Sequence, residues 1–224
     1  MRTIKQDGYA IIPGVLPVEQ IGRLLDDLIS VNAPRSRAGS RHALRHAAVR
    51  TLAENPRLTD LAREVLGRDA FPFRATLFDK SQKANWLVVW HQDTALPLRE
   101  RHDHPAWGPW SVKDGVIYAH APATALSRVL ALRVHLDDSL SENGPLRVLP
   151  GTHIQGVLSD DEIHQCVARI SSVECLVGKG GVVAMRPLIV HASSKSRSDV
   201  PRRVLHIEYA ESQEIADGFE LAIA

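Results

Sequence analysis

The segment Trp90-His91-Gln92-Asp93 offers an imidazole and a carboxylate two residues apart. On an extended chain alternate side chains point the same way, so His91 and Asp93 present both groups together. Two histidines and one carboxylate on one face of an iron(II) ion leave adjacent positions open for other ligands. The same donors also suit catalytic zinc. With 11 histidines and 26 acidic residues in the chain, an H-x-D pair alone carries little weight. It needs a third donor, and His191 is the candidate, following the apolar run Pro187-Leu188-Ile189-Val190. What raises His191 above an ordinary structural histidine is the sequence after it, where Arg202 and Arg203 open a new β-prone run. A guanidinium fork binds a dicarboxylate bidentately while the other end of that molecule chelates a metal.

Four ordered phrases then make a specific likeness: HQD at 91–93, ENGPLRVLPGTH at 142–153, PLIVHASSKS at 187–196 and RRVLHIEYA at 202–210. Together with the opening DGYAIIPGVLPVEQIGRL at 7–24, the chain resembles the phytanoyl-CoA dioxygenase family of iron(II)/2-oxoglutarate oxygenases over nearly its whole length. The resemblance implies a β-rich α+β fold, a double-stranded β-helix or jelly roll of the cupin type with N-terminal helices packed outside. It implies iron(II) on His91, Asp93 and His191 in the barrel mouth, with 2-oxoglutarate and dioxygen as cosubstrates and succinate and carbon dioxide as products. Carried over by position, the cosubstrate arginine falls on Arg202, and Arg203 faces the other way. Thr76, on the strand at 74–78, becomes a cosubstrate contact, as does Ser193. Arg133 falls where relatives often carry an aromatic residue beside the cosubstrate.

Two rival readings stand beside this one: a cupin-like metal or small-molecule binding module without turnover, and a zinc-dependent hydrolase. A downstream arginine in place of a Glu-bearing zinc helix favours the oxygenase. Trp86, Trp90, Trp107, Trp110 and Tyr118 cluster in sequence around the first two ligands, so Trp90, Trp107, Trp110 and Tyr118 are candidates for the substrate wall, with Lys80 and Asn85 near the same strand ends. His135 and His153 read as strand and turn residues, His102 and His104 as parts of a solvated loop.

The elements that must position these groups are legible from periodicity. Gly8 to Ile12 reads as a strand closed by Pro13-Gly14. Val18, Ile21, Leu24, Leu25, Leu28 and Ile29 recur at helical spacing. A mobile loop is expected at 35–46 and a helix at 47–54. A further helix carries Leu58, Leu61, Ala62, Val65 and Leu66 on one face, with Gly67 at a left-handed C-terminal cap. From Phe71 the texture changes to short β-rich runs at 74–78, 86–90, 116–118, 129–136, 146–149, 182–185 and 202–209. Helices first and strands after, with Gly/Pro turns between, favour an antiparallel sandwich or barrel. The stretch 94–128 reads as an irregular lid or substrate loop within a single domain spanning 1–224.

Hydrophobic residues at 44% and charged residues at 24% fit one soluble globular domain. A formal net charge of +1 gives no electrostatic footprint for nucleic acid or a membrane surface. No apolar run reaches membrane-span length and the first residues lack a secretory signal, so a cytoplasmic protein acting on a small molecule is expected. Cys166 and Cys175 are too few for a disulfide framework and read as inert packing thiols.

Overall fold

The strand Val129–His135 is buried at every residue, yet its two faces differ in chemistry. Leu130, Leu132 and Val134 point to one side and meet a helical layer, while Ala131, Arg133 and His135 point to the other. The strands beside it repeat the division. Arg202–Ala210 sends Leu205, Ile207 and Tyr209 to the helices and keeps Arg202, His206 and Glu208 on the inner face. Phe71–Lys80 sends out Ala75 and Leu77 and turns Arg74, Thr76, Phe78 and Lys80 inward. A largely apolar outer face thus backs a more polar inner one, as a jelly roll with an interior site requires.

This computed structural model describes residues 2–30, 39–81 and 84–224. Its larger sheet is antiparallel, with six strands in the order Tyr9–Ile12, Val182–Met185, Val129–His135, Arg202–Ala210, Phe71–Lys80 and Gly39–Ser40. A four-stranded sheet runs Val173–Cys175, Leu146–Val148, His191–Ser193 and Val88–His91. One cavity is lined by both sheets, which face each other across it. The helices Val18–Ser30, Ala47–Ala53 and Pro56–Leu66 cover the outer face of the large sheet through Ile21, Leu24, Leu25, Val49, Leu52, Leu58 and Ala62. Asn55 caps the last of these, accepting a hydrogen bond from the Arg57 amide at 3.0 Å.

The structure departs from the sequence reading in four places. Val18 is exposed, because the first turn of its helix lies ahead of the packed stripe. Gly67 has positive φ but extended ψ (104°, 169°), so it turns the chain without forming a left-handed cap. Residues 94–128 hold an antiparallel three-stranded sheet, Ala95–Leu98, Val116–His120 and Trp110–Lys113, and the short helix Ala123–Leu126. Prolines and polar residues hide the strand period there, and pairing across the segment supplies the order, as between Pro97 and Tyr118. The helix Asp160–Arg169 has no counterpart in the sequence reading, although its box of Ser159 and Glu162 is a legible start signal. Of the loop expected at 35–46, residues 35–38 lie outside the described residues; the rest contains Gly39–Ser40 and the 3₁₀ turn Ala43–Arg45.

Candidate metal centre

His91 and His191 are Cα partners on neighbouring antiparallel strands of the smaller sheet. Their rings lie 4.2 Å apart between centroids. Asp93 stands just past the end of its strand, but the chain stays alternating. Gln92 turns the opposite way and is held there by the carbonyls of Gly156 and Leu188, at 2.9 and 2.7 Å, and by the Leu158 amide. Asp93 is fixed in turn by its amide, which donates to the Pro187 carbonyl at 2.9 Å.

The three side chains meet. Asp93 Oδ1 lies 3.7 Å from His91 Nε2 and Oδ2 lies 3.6 Å from His191 Nε2. One donor atom from each of the three falls within 4.8 Å of the others. Each imidazole has its Nδ1 on the carbonyl two residues before it: His91 on Val89 at 2.8 Å and His191 on Ile189 at 2.9 Å. A carbonyl only accepts, so Nδ1 carries a proton in each ring, and Nε2, the atom nearer Asp93, is the one placed to ligate a metal. Burial, partly offset by Asp93, pushes the His191 imidazole down to about 4, which keeps it neutral. Burial would raise Asp93, but the surrounding imidazoles, His191 foremost, and Arg74 hold its carboxyl well below the usual range. Two imidazoles and one carboxylate on one side of a cavity are a donor set that fits a divalent iron.

Beside this cluster the cavity has a strongly cationic wall. Arg202 and Lys80 are cross-strand partners, and both donate to Ser193 Oγ, at 3.3 and 2.8 Å; the Ser193 hydroxyl in turn donates to the Gly144 carbonyl at 2.9 Å. Lys80 also donates to the Ser194 carbonyl at 2.5 Å, and Arg202 to that of Asn143 at 3.2 Å. Gly144 leaves room for this: a Cβ on it would lie 2.3 Å from the Ser194 carbonyl oxygen, and its φ of +69° is one that side chains resist. Arg133 donates to His206 Nδ1 at 3.0 Å and lies over Phe78. Arg202 Nη1 and Arg133 Nε are buried without a protein partner. Burial costs such N–H groups free energy, and an anionic ligand is the acceptor that compensates. Burial, with Arg202 and Arg133, brings Lys80 down to about 7.

At the other end of the same inner row, Arg74 forks onto both carboxylate oxygens of the buried Glu208 and donates to the Ala95 carbonyl at 2.8 Å. Its guanidinium lies 5.7 Å from the centre of the Tyr118 ring.

The cavity, of about 230 Å³, therefore gathers His91, Asp93, His191, Arg202, Thr76, Ser193, Arg133, Lys80, Tyr118 and Trp86. Arg203 faces away, paired with Asp137. Three of the tryptophans do not belong. Trp90 points to the opposite side of its strand, where Arg147 covers it, because its neighbour His91 points in. Trp107 is buried and stacked on Phe219, ring centroids 4.2 Å apart. Trp110 packs in that same cluster under Arg101. Asn85 is taken by the backbone of Ser196. His102 and His104 are exposed against the edge of Phe219. Cys166 and Cys175 are buried free thiols. Sequence reasoning passed over Arg74, His206 and Glu208, whose signal was polar residues alternating on otherwise apolar strands.

Comparison with known proteins places this geometry in context. The family model described as phytanoyl-CoA dioxygenase (PhyH) matches residues 4–204. An L-proline trans-4-hydroxylase of Streptomyces griseoviridis is 30% identical over 138 residues, covering 50% of this chain and 51% of that protein. An ectoine dioxygenase of Nocardia farcinica is 24% identical, covering 68% of this chain and 50% of its own length. The chain thus spans about half the length of these curated relatives. Among solved structures, EctD from S. alaskensis in its apoform superposes with a TM-score of 0.66 at 21% identity, over 93% of this chain and 75% of the other. The epimerase SnoN, in complex with Fe3+, alpha ketoglutarate and nogalamycin RO, gives a TM-score of 0.69 at 21% identity, over 95% and 82%. These likenesses show a shared jelly-roll fold.

Proposed function

The chain belongs to the phytanoyl-CoA dioxygenase family, and from that premise we propose that it is a mononuclear iron(II) oxygenase consuming 2-oxoglutarate and dioxygen to hydroxylate a small organic molecule, releasing succinate and carbon dioxide. One observation carries the reading. Two Nδ1-tethered imidazoles turn their Nε2 atoms to a single carboxylate, beside an arginine with a buried, unpaired N–H. His91, Asp93 and His191 hold the metal. Arg202, supported by Lys80 and Ser193, receives the far carboxylate of 2-oxoglutarate, and Thr76 and Arg133 flank it. When bound, the iron supplies the site where the keto acid and dioxygen are brought together for oxidative decarboxylation. The protein's own share is placement and exclusion of water. Phe78, Trp86, Val88, Tyr118 and Leu146 provide the apolar walls, which keep the reacting centre from bulk solvent.

Among the described residues, a hydrolytic role for the same donors lacks a free carboxylate base on the cavity wall. The carboxylates on the cavity wall are Asp93, spent on the metal, and Glu208, held by both forks of Arg74. No described helix is long and apolar enough to cross a membrane, and a cytoplasmic enzyme acting as one domain on a free small metabolite is the setting we propose. Ferrous-dependent release of succinate from 2-oxoglutarate tests the reading: iron-stimulated succinate is expected, and its absence with metal-replete protein contradicts it.

A further inference from the structure

We propose that the substrate is a small organic anion whose carboxylate or phosphate docks between Arg41 and Lys113, at the end of the cavity away from the Lys80–Arg202 pair. The inference rests on the oxygenase reading and names the substrate class of that same site.

The cavity has two cationic poles. Arg74 and Lys80 mark opposite ends of the inner row on Phe71–Lys80, and six residues of strand span about 20 Å at roughly 3.3 Å each. Lys80 marks the pole with Arg202 and Arg133, which the cosubstrate's far carboxylate serves. The second pole gathers at Tyr118. Lys113 Nζ lies 4.9 Å from the centre of that ring, and the Arg74 guanidinium lies 5.7 Å from it. Arg41 reaches the same wall from another element. It follows Gly39–Ser40, whose partners are Phe78 and Leu77, so the chain there runs toward Thr76 and Arg74.

The charges at this second pole do not balance. Arg74 is neutralised by Glu208, and Asp93 is committed to the metal ligands. Arg41 and Lys113 line the cavity and have no carboxylate partner among the described residues. The nearest acid in sequence, Asp114, instead faces His42, at 3.8 Å. Burial, Arg41 and Arg74 all act against the Lys113 ammonium. Two cations from separate elements, converging on one cavity beside a paired third, repel one another until an anion arrives. A cavity of about 230 Å³ lies below the usual range for ligand pockets of about 300–1,000 Å³, so the molecule is compact, and a coenzyme A thioester would leave most of itself outside.

The test is anaerobic calorimetric titration of protein already loaded with iron(II) and 2-oxoglutarate. The probes are benzoate and cyclohexanecarboxylate against their carboxamides, and phenyl phosphate and glycerol phosphate against phenol and glycerol. The expected result is that at least one anion binds about tenfold or more tightly than its neutral counterpart. Arg41→Gln and Lys113→Gln each weaken it about tenfold, the scale of a charge-assisted hydrogen bond, while 2-oxoglutarate binding is unchanged. Which arm responds separates carboxylate from phosphate. A panel in which no anion outbinds its neutral partner, or variants that bind like wild type, overturns the inference. Wild type that fails to bind 2-oxoglutarate in the presence of iron strikes the oxygenase reading instead, and that control is read first.

Discussion

Lys80 and Arg202, Cα partners on adjacent antiparallel strands, both donate to the one hydroxyl of Ser193, at 2.8 and 3.3 Å. Two like charges share an acceptor that is itself neutral. The arrangement is costly without a ligand and poised for a dicarboxylate with one.

The pH dependence of cosubstrate binding follows from it. Burial, with Arg202 and Arg133, brings Lys80 down to about 7, and a bound dianion favours the charged ammonium, raising that value again. Binding therefore takes up a proton above pH about 7. Affinity for 2-oxoglutarate is fully developed below that pH, falls as the pH rises through the window, and levels off once Lys80 is neutral in the complex too. Titration between about pH 6 and about pH 9 checks the slope, and Lys80→Met removes it. A flat wild-type profile contradicts the assignment.

Metal loading stabilises the fold. At a free iron(II) concentration a hundredfold above Kd the gain is about 2.7 kcal/mol, or about 5–10 °C in Tm for a chain of this size. The shift is read anaerobically by thermal denaturation. It disappears in Asp93→Asn and His191→Ala, and a variant that keeps it removes that residue from the ligand set.

Arg74 and Glu208 form a buried pair with both guanidinium forks engaged. Removing one partner strands the other charge, so Arg74→Met costs about 3–5 kcal/mol in urea unfolding. The double variant Arg74→Met/Glu208→Leu recovers most of the loss. Equal losses in the single and double variants contradict a coupled pair.

Trp107 and Trp86 separate packing from recognition. Trp107, stacked on Phe219, is core, and Trp107→Ala costs about 3–5 kcal/mol of stability. Trp86 lines the cavity over Lys80. Trp86→Ala leaves the urea midpoint within about 1 kcal/mol of wild type and raises the concentration of 2-oxoglutarate needed for half-maximal succinate release. The opposite pattern reverses the two roles.

The strands carrying the site were legible because their period is two and their outer residues are apolar. Arg202–Ala210 shows that pattern within the sequence itself. His91, Asp93 and His191 were legible as residue types, yet their meeting depends on the pairing of residue 91 with residue 191, a contact that no local pattern encodes. The misplaced tryptophans have the same cause. Proximity in sequence to His91 suggested the cavity, but alternation sends Trp90 to the far face and hairpin pairing carries Trp107 and Trp110 into a separate cluster. Arg74, His206 and Glu208 escaped notice because a buried polar group is recognised by its partner, and Arg133 reaches His206, and Arg74 reaches Glu208, from other strands.

The central claim is that His91, Asp93 and His191 hold an iron to which 2-oxoglutarate binds, steadied by Arg202. Anaerobic titration of the metal-free protein with iron(II) and 2-oxoglutarate, watching the visible charge-transfer band of the chelate, tests it most directly. The band is expected to saturate at about one iron per chain in wild type, to be absent in His191→Ala, and to require far more 2-oxoglutarate in Arg202→Ala. A wild-type protein that develops no band, or a His191→Ala variant that develops it in full, contradicts the account.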